Sequence, residues 1–180
     1  GFKQTTGETM MPAHTNVMPL PEGASATLRE AFAHIGTVTA PTALDIKIMA
    51  LTEAAAMTLY YKTAETAEHP EVRALLERNG REEFLHAQRA ALAVKAVSGE
   101  DFFPPLPEDN PYLQDGAGPI APITREALTG LAQGEFGGDA LYEKWAQNVG
   151  NAEAARLFRL NGKEESDHGN RLLQAAALLD

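Results

Sequence analysis

Residues Asn79–His86 read NGREEFLH, and residues Asn161–His168 read NGKEESDH. The likeness extends outward: residues 50–89 align with residues 132–171 without a gap, and fourteen of those forty positions are identical. The identities pair Glu53 with Glu135, Tyr60 with Tyr142, Lys62 with Lys144, Asn79 with Asn161, Glu83 with Glu165, His86 with His168 and Arg89 with Arg171. Two helical hairpins can share Ala and Leu by composition alone. Shared Glu, His, Tyr and Asn have no such explanation, so the two halves are expected to bring the same chemical groups to one site between them.

Around the repeat, the apolar spacing is helical. Ile46, Met49, Met57 and Tyr60 recur at three-to-four-residue intervals, the pattern of a helix with one buried face. Thr42 with Asp45 three residues on is a capping signal for its start. Pro70 is placed to open a second helix, which stops at the SGED of residues 98–101. Read locally, the NG of each phrase signals a turn, but the uninterrupted apolar pattern and the repeat predict that helix continues through both. A third helix is expected from about Thr124 to Val149. Asn151 can cap a fourth that runs almost to Asp180.

Between the pairs, residues 99–124 are rich in Pro, Gly and Asp and read as a connector. One this long needs a reason. Crossing the length of a helical bundle supplies it: a helix of about 27 residues is roughly 40 Å long, and about 24 extended residues reach roughly 80 Å. The expected fold class is therefore all-α, a four-helix bundle of two repeated hairpins joined by a long crossover loop over residues 39–180. Residues 1–38, with three prolines and only TLREAFAHIG looking helical, read as an N-terminal arm that packs loosely or serves a partner subunit.

The spacing also levels the acids. Glu53 lies as far before Glu68, in the first turn, as Glu83 lies after it, and Glu135 and Glu165 flank Gly150 in the same way. Within each ExxH, positions i and i+3 share a helix face, so Glu83 points with His86 and Glu165 with His168. Six side chains thus converge at mid-bundle. A single ExxH is usually a solvated pair, but two in register, each with a Glu thirty residues upstream, are a stronger signal. Four carboxylates in an apolar bundle cannot all stay ionised uncompensated, and two divalent cations balance them. Carboxylate and neutral imidazole suit iron, manganese or zinc, with iron the preferred reading. One Glu from each of two helices plus Glu-x-x-His from each of the other two is the ligand pattern of carboxylate-bridged metal bundles.

On these motifs, residues 42–180 resemble the ferritin-like di-iron carboxylate superfamily, and within it the rubrerythrin-like branch. The resemblance implies Glu53, Glu83, His86, Glu135, Glu165 and His168 as ligands of two iron ions, with Glu83 and Glu165 as bridges. It further implies a di-iron oxidoreductase, most simply one that reduces peroxide or dioxygen with electrons from an external donor, and a homodimer. Ferroxidase or iron handling, di-iron oxygenase and manganese catalase-like activity use nearly the same ligands. Classical rubrerythrins carry a Cys-rich rubredoxin module and a further Glu three residues after the third-helix ligand. This chain has no Cys and has Gly138 at that position, which leaves internal electron delivery and redox-linked ligand exchange without a basis in the sequence.

Neighbouring residues have two readings each. Glu82 and Glu164 either take the second imidazole N–H of a ligand from the opposite hairpin or are exposed acids. Tyr60 and Tyr142, seven residues beyond their Glu ligands, either bond a carboxylate and deliver protons as catalytic groups or are plain core residues. Gly134, Gly137 and Gly138 weaken the third helix, to open a pocket beside the metals or to allow close packing. Asp139 is an extra ligand, a proton donor or a salt-bridged polar residue. His14, His34 and His69 read as solvated.

Composition narrows the rest. The chain has 180 residues, enough for one domain with one sizeable core. The absence of Cys excludes disulfides, thiolate zinc sites and iron–sulfur clusters. A net charge of −10 argues against a nucleic-acid surface, and no apolar run is long enough to span a bilayer. With no signal peptide read at the start, a cytoplasmic location is expected. The non-enzyme alternative is a metal-free helical bundle that only binds partners.

Overall fold

The structure, a computed structural model, describes residues 16–179. These residues are all-helical, with no strand among them. Five α-helices follow in order: α1 (Leu28–Thr37), α2 (Ala43–Glu65), α3 (Pro70–Ser98), α4 (Arg125–Asn148) and α5 (Ala152–Ala177).

Their ends are chemically written. Thr42 accepts from the Asp45 N–H while Asp45 returns a bond to the Thr42 N–H, a reciprocal cap that satisfies two otherwise unpaired donors. Asn151 accepts from the Ala154 N–H at the start of α5. Helix α3 starts at Pro70, whose missing N–H costs nothing there, and stops at Gly99, in the left-handed region at φ 78°. His69, expected to be solvated, caps α3 by accepting from the Glu71 N–H.

Helices α2 and α3 pair, as do α4 and α5, and α3 packs along α5. At one end of the molecule the Asn151 side chain donates to the Ala96 carbonyl near the end of α3. At the other, Arg125 at the start of α4 donates to the Leu179 carbonyl. The segment from Gly99 to Thr124 therefore starts at one end of α5 and finishes at the other. It contains two short 3-10 turns, Pro107–Asp109 and Pro111–Leu113, and is pinned at its middle by Asn110, whose buried amide donates to the Leu51 carbonyl.

The arm differs from expectation. Residues 1–15, including His14, lie outside the described residues, but α1 is not loosely packed: Ala31 and Ile35 are buried against the core. The Trp145 indole donates to the Val38 carbonyl just beyond α1, and Tyr112 donates to the Ser25 carbonyl. His34 is exposed, as expected, and its ring lies 2.8 Å from Asp45.

The apolar core is split in two. One cluster gathers Ile46, Ile48, Leu51, Trp145 and Phe158, and the other Val72, Leu76, Leu128 and Leu172. Each such buried side chain contributes on the order of 1.5–3 kcal/mol. Along every long helix the polar residues of interest fall between the two clusters: Glu53 after Leu51, Glu83 after Leu76, Glu135 before Tyr142 and Glu165 before Leu172.

Candidate metal centre

At that level the structure brings the six expected side chains together. Glu83, His86, Glu165 and His168 are buried, and one nitrogen or oxygen of each lies within 4.8 Å of the others. The His86 Nδ1 atom is 3.0 Å from Glu83 Oε1, 2.8 Å from Glu165 Oε1 and 3.4 Å from Glu53 Oε2. On the other side, His168 Nδ1 is 3.3 Å from Glu83 Oε1, 3.9 Å from Glu165 Oε1 and 3.0 Å from Glu135 Oε1. Glu83 and Glu165 thus each approach the Nδ1 atoms of both imidazoles, which stack with centroids 5.0 Å apart, while Glu53 and Glu135 each approach one of them.

The positions flanking these residues build the frame. Glu164 lies 3.0 Å from His86 Nε2, and Glu82 lies 3.1 Å from His168 Nε2. Each acid is held in turn by an arginine of the opposite hairpin, Arg89 on Glu164 and Arg171 on Glu82, at 2.8 Å. Asn79 donates to the His168 carbonyl and accepts from Arg171, while Asn161 donates to the His86 carbonyl and accepts from Arg89. A carboxylate on the far nitrogen of an imidazole sets its tautomer, leaving Nδ1 aimed at the cluster. Arg89 and Arg171 had no assigned role in the sequence, although their identity in the repeat was the signal.

The glycines of the repeated phrase allow this closeness. Helix runs unbroken through Asn79–Gly80 and Asn161–Gly162. A Cβ at Gly80 would stand 2.8 Å from the Tyr61 ring, and one at Gly162 would stand 2.8 Å from Asp139 Oδ1.

The two tyrosines part company. Tyr142 donates to Glu53 Oε2 at 2.6 Å and receives a bond from Asn161. Tyr60 instead lies edge-on to the His168 ring, with centroids 6.2 Å apart. Asp139 accepts a hydrogen bond from Ser166 and stands outside the group of four buried donors. The α4 glycines divide between the two readings: a Cβ at Gly138 would meet Glu165 Oε2 at 2.5 Å, whereas at Gly134 or Gly137 it would meet nothing within 4 Å.

The electrostatics state what the cluster lacks. Burial, then the negative charge of Glu83, raises the Glu53 carboxyl and lifts Glu135 to about 7. The same two causes push Glu165 well up. Burial also works upward on Glu83, but the His168 and His86 imidazoles beside it outweigh that and hold the carboxyl at about 2. Burial would lower His168, yet Glu135 and Glu83 raise it to about 9. His86 is likewise raised despite burial, first by Glu164 and then by Glu165. Protons are thus drawn to the imidazoles as the available positive charge. They do not satisfy the geometry: His86 Nδ1 lies 3.0 and 2.8 Å from Glu83 Oε1 and Glu165 Oε1, yet these three buried atoms are not aligned in any hydrogen bond. Leaving such groups unpaired is costly. Cations among these oxygens and nitrogens would engage all three atoms, and the donor set fits them.

No protein-family model, curated protein or solved structure matches the chain. No helix among the described residues is long and apolar enough to cross a membrane.

Proposed function

We propose that this chain is a ferritin-like, rubrerythrin-like di-iron oxidoreductase that reduces peroxide or dioxygen. In this reading α2–α5 form the four-helix bundle of two hairpins with a crossover, and the protein is a homodimer. The observation that carries the reading is the group of buried unpaired atoms, Glu83 Oε1, His86 Nδ1 and Glu165 Oε1, in a cluster contributed equally by two repeated hairpins.

Glu53 with His86, and Glu135 with His168, would each hold one ion, and Glu83 and Glu165 would be shared by both. Iron held by these residues would supply the two electrons that reduction of peroxide or dioxygen needs, with an external donor as the reductant; manganese and zinc suit the same donors. The protein's own part is orientation and proton control. Glu82 and Glu164, fixed by Arg171 and Arg89, hold the imidazoles. Tyr142, whose hydroxyl donates to Glu53, keeps that carboxylate in place and holds a proton at the cluster's edge; burial keeps this hydroxyl protonated at neutral pH.

Metal analysis of protein purified without chelator tests the reading. Two ions per chain are expected; fewer than about 0.2, with no ferrous uptake, would leave a metal-free interaction bundle. Stopped-flow mixing of the ferrous protein with peroxide and then with dioxygen separates reductase from ferroxidase behaviour. Indifference to both refutes the redox assignment.

A further inference from the structure

One side of the helical quartet is open. Packed seams join α2 to α3, α3 to α5 and α4 to α5, while between α2 and α4 lies a cavity of about 780 Å³. The Glu53, Glu83, Glu135 and Glu165 side chains line part of it. The remaining walls are largely aliphatic, from Ile35, Met49, Leu59, Ile120, Leu131 and Leu141. Phe32, Ile120 and Leu131, also lining it, are exposed large apolar side chains.

The repeat allows a comparison of the two walls. On α2, Ile48, Met49, Thr52, Ala55 and Ala56 are all buried, and Met49, Thr52 and Ala56 line the cavity with side chains. At the equivalent positions of α4 stand Gly130, Leu131, Gly134, Gly137 and Gly138, every one of them lining the cavity. A helical glycine costs about 1 kcal/mol relative to Ala. Gly138 has a packing reason, but Gly130, Gly134 and Gly137 have open space where a Cβ would stand. The side chains are missing where the cavity lies, and that geometry points to an occupant.

Charge and shape define it. Lys144 lines the cavity and makes no salt bridge among the described residues. It lies nine residues beyond Glu135, so about 13 Å along the helix axis, and Gly130 lies about 21 Å from it. We propose that the cavity binds a linear aliphatic carboxylic acid, its carboxylate at Lys144 and its chain along the α2–α4 seam past the carboxylate cluster. Among the described residues that line the cavity Lys144 is the one basic side chain, which makes it the anchor for an anionic head group. Aliphatic walls take the chain, as in small-molecule sites with few polar groups. Binding needs only the cavity; the chain's position beside loaded metals rests on the di-iron reading.

Calorimetry with dodecanoic acid and dodecan-1-ol tests this on the full chain, metal-free and loaded with zinc. Saturable one-to-one binding of the acid is expected in at least one form. Gly134→Leu with Gly137→Leu should weaken it at least about tenfold, with helical circular dichroism and zinc content unchanged. Lys144→Ala should weaken the acid about tenfold and the alcohol less than about twofold. Leu131→Trp, on the rim, serves as a second block should the leucines disturb α4. The proposal is overturned by absence of saturable binding, by binding indifferent to both blocks, by equal loss of acid and alcohol in Lys144→Ala, or by sedimentation showing a dimer that excludes the acid until it dissociates. A chain that takes the acid but no metal retires the di-iron reading and leaves this one standing.

Discussion

Asn161 makes contacts that no other residue type of its size could combine. Its amide donates to the His86 carbonyl and the Tyr142 hydroxyl, and its oxygen accepts from Arg89. It is fully buried, so removing it orphans acceptors and a guanidinium contact together. Asn161→Ala should cost about 2–3 kcal/mol, read as a lower denaturant midpoint at unchanged slope. The repeated phrase is spelled twice because each letter serves both hairpins. Asn spans to the other hairpin's histidine carbonyl, Gly admits the neighbouring helix, the first Glu holds the opposite imidazole, and the second Glu and the His face the centre. The sequence pattern pointed to Glu82 and Glu164 through the ligands beside them. It marked Arg89 and Arg171 as a repeated pair but gave them no partner, because a guanidinium's partner depends on how two hairpins are docked.

At the scale of elements, Asp45 joins α1 to α2. Its carboxylate accepts from the Thr42 N–H and hydroxyl and lies 2.8 Å from His34 Nε2. Burial works to raise this carboxyl, but the bonds from Thr42 and His34 outweigh it and hold the group below the usual range. A folded value below the unfolded one, ordinarily about 3.9, stabilises the fold above that pH and is lost as pH falls through the folded value. Asp45→Asn should therefore cost about 1 kcal/mol at pH 7, and the gap to the unsubstituted protein should close as thermal melts are taken from pH 5 toward about 2. A pH-independent gap would show that Asp45 acts by shape rather than charge. Capping residues at the starts of α2 and α5, and the proline that opens α3, were legible because each signal is local. The packing of α1 was not: a ten-residue helix after a proline-rich stretch carries no mark of the surface that will cover Ala31 and Ile35.

For the whole molecule, a polar belt separates two apolar clusters, and in the proposed reading a metal held there would couple to stability. Glu83→Ala with Glu165→Ala should abolish metal binding while circular dichroism stays helical, since the two carboxylates nearest both imidazoles are gone. Full metal occupancy in that variant would refute the assignment of the centre. In the parent chain, metal at about a hundred times its dissociation constant should raise the melting temperature by about 5 °C or more.

The repeat, the helical periods and the local caps were enough to establish an all-helical chain and to select Glu53, Glu83, His86, Glu135, Glu165 and His168, because helix spacing is a property of covalent order and is the same in both halves. Only the packed molecule decided that Tyr142 bonds Glu53 while its repeat partner Tyr60 lies against His168, that Asp139 turns to Ser166, and that α2 and α4 stand apart around a cavity. These depend on distances between helices, which equivalent sequences do not make equal once Gly134 and Gly137 stand where Thr52 and Ala55 do in the other half.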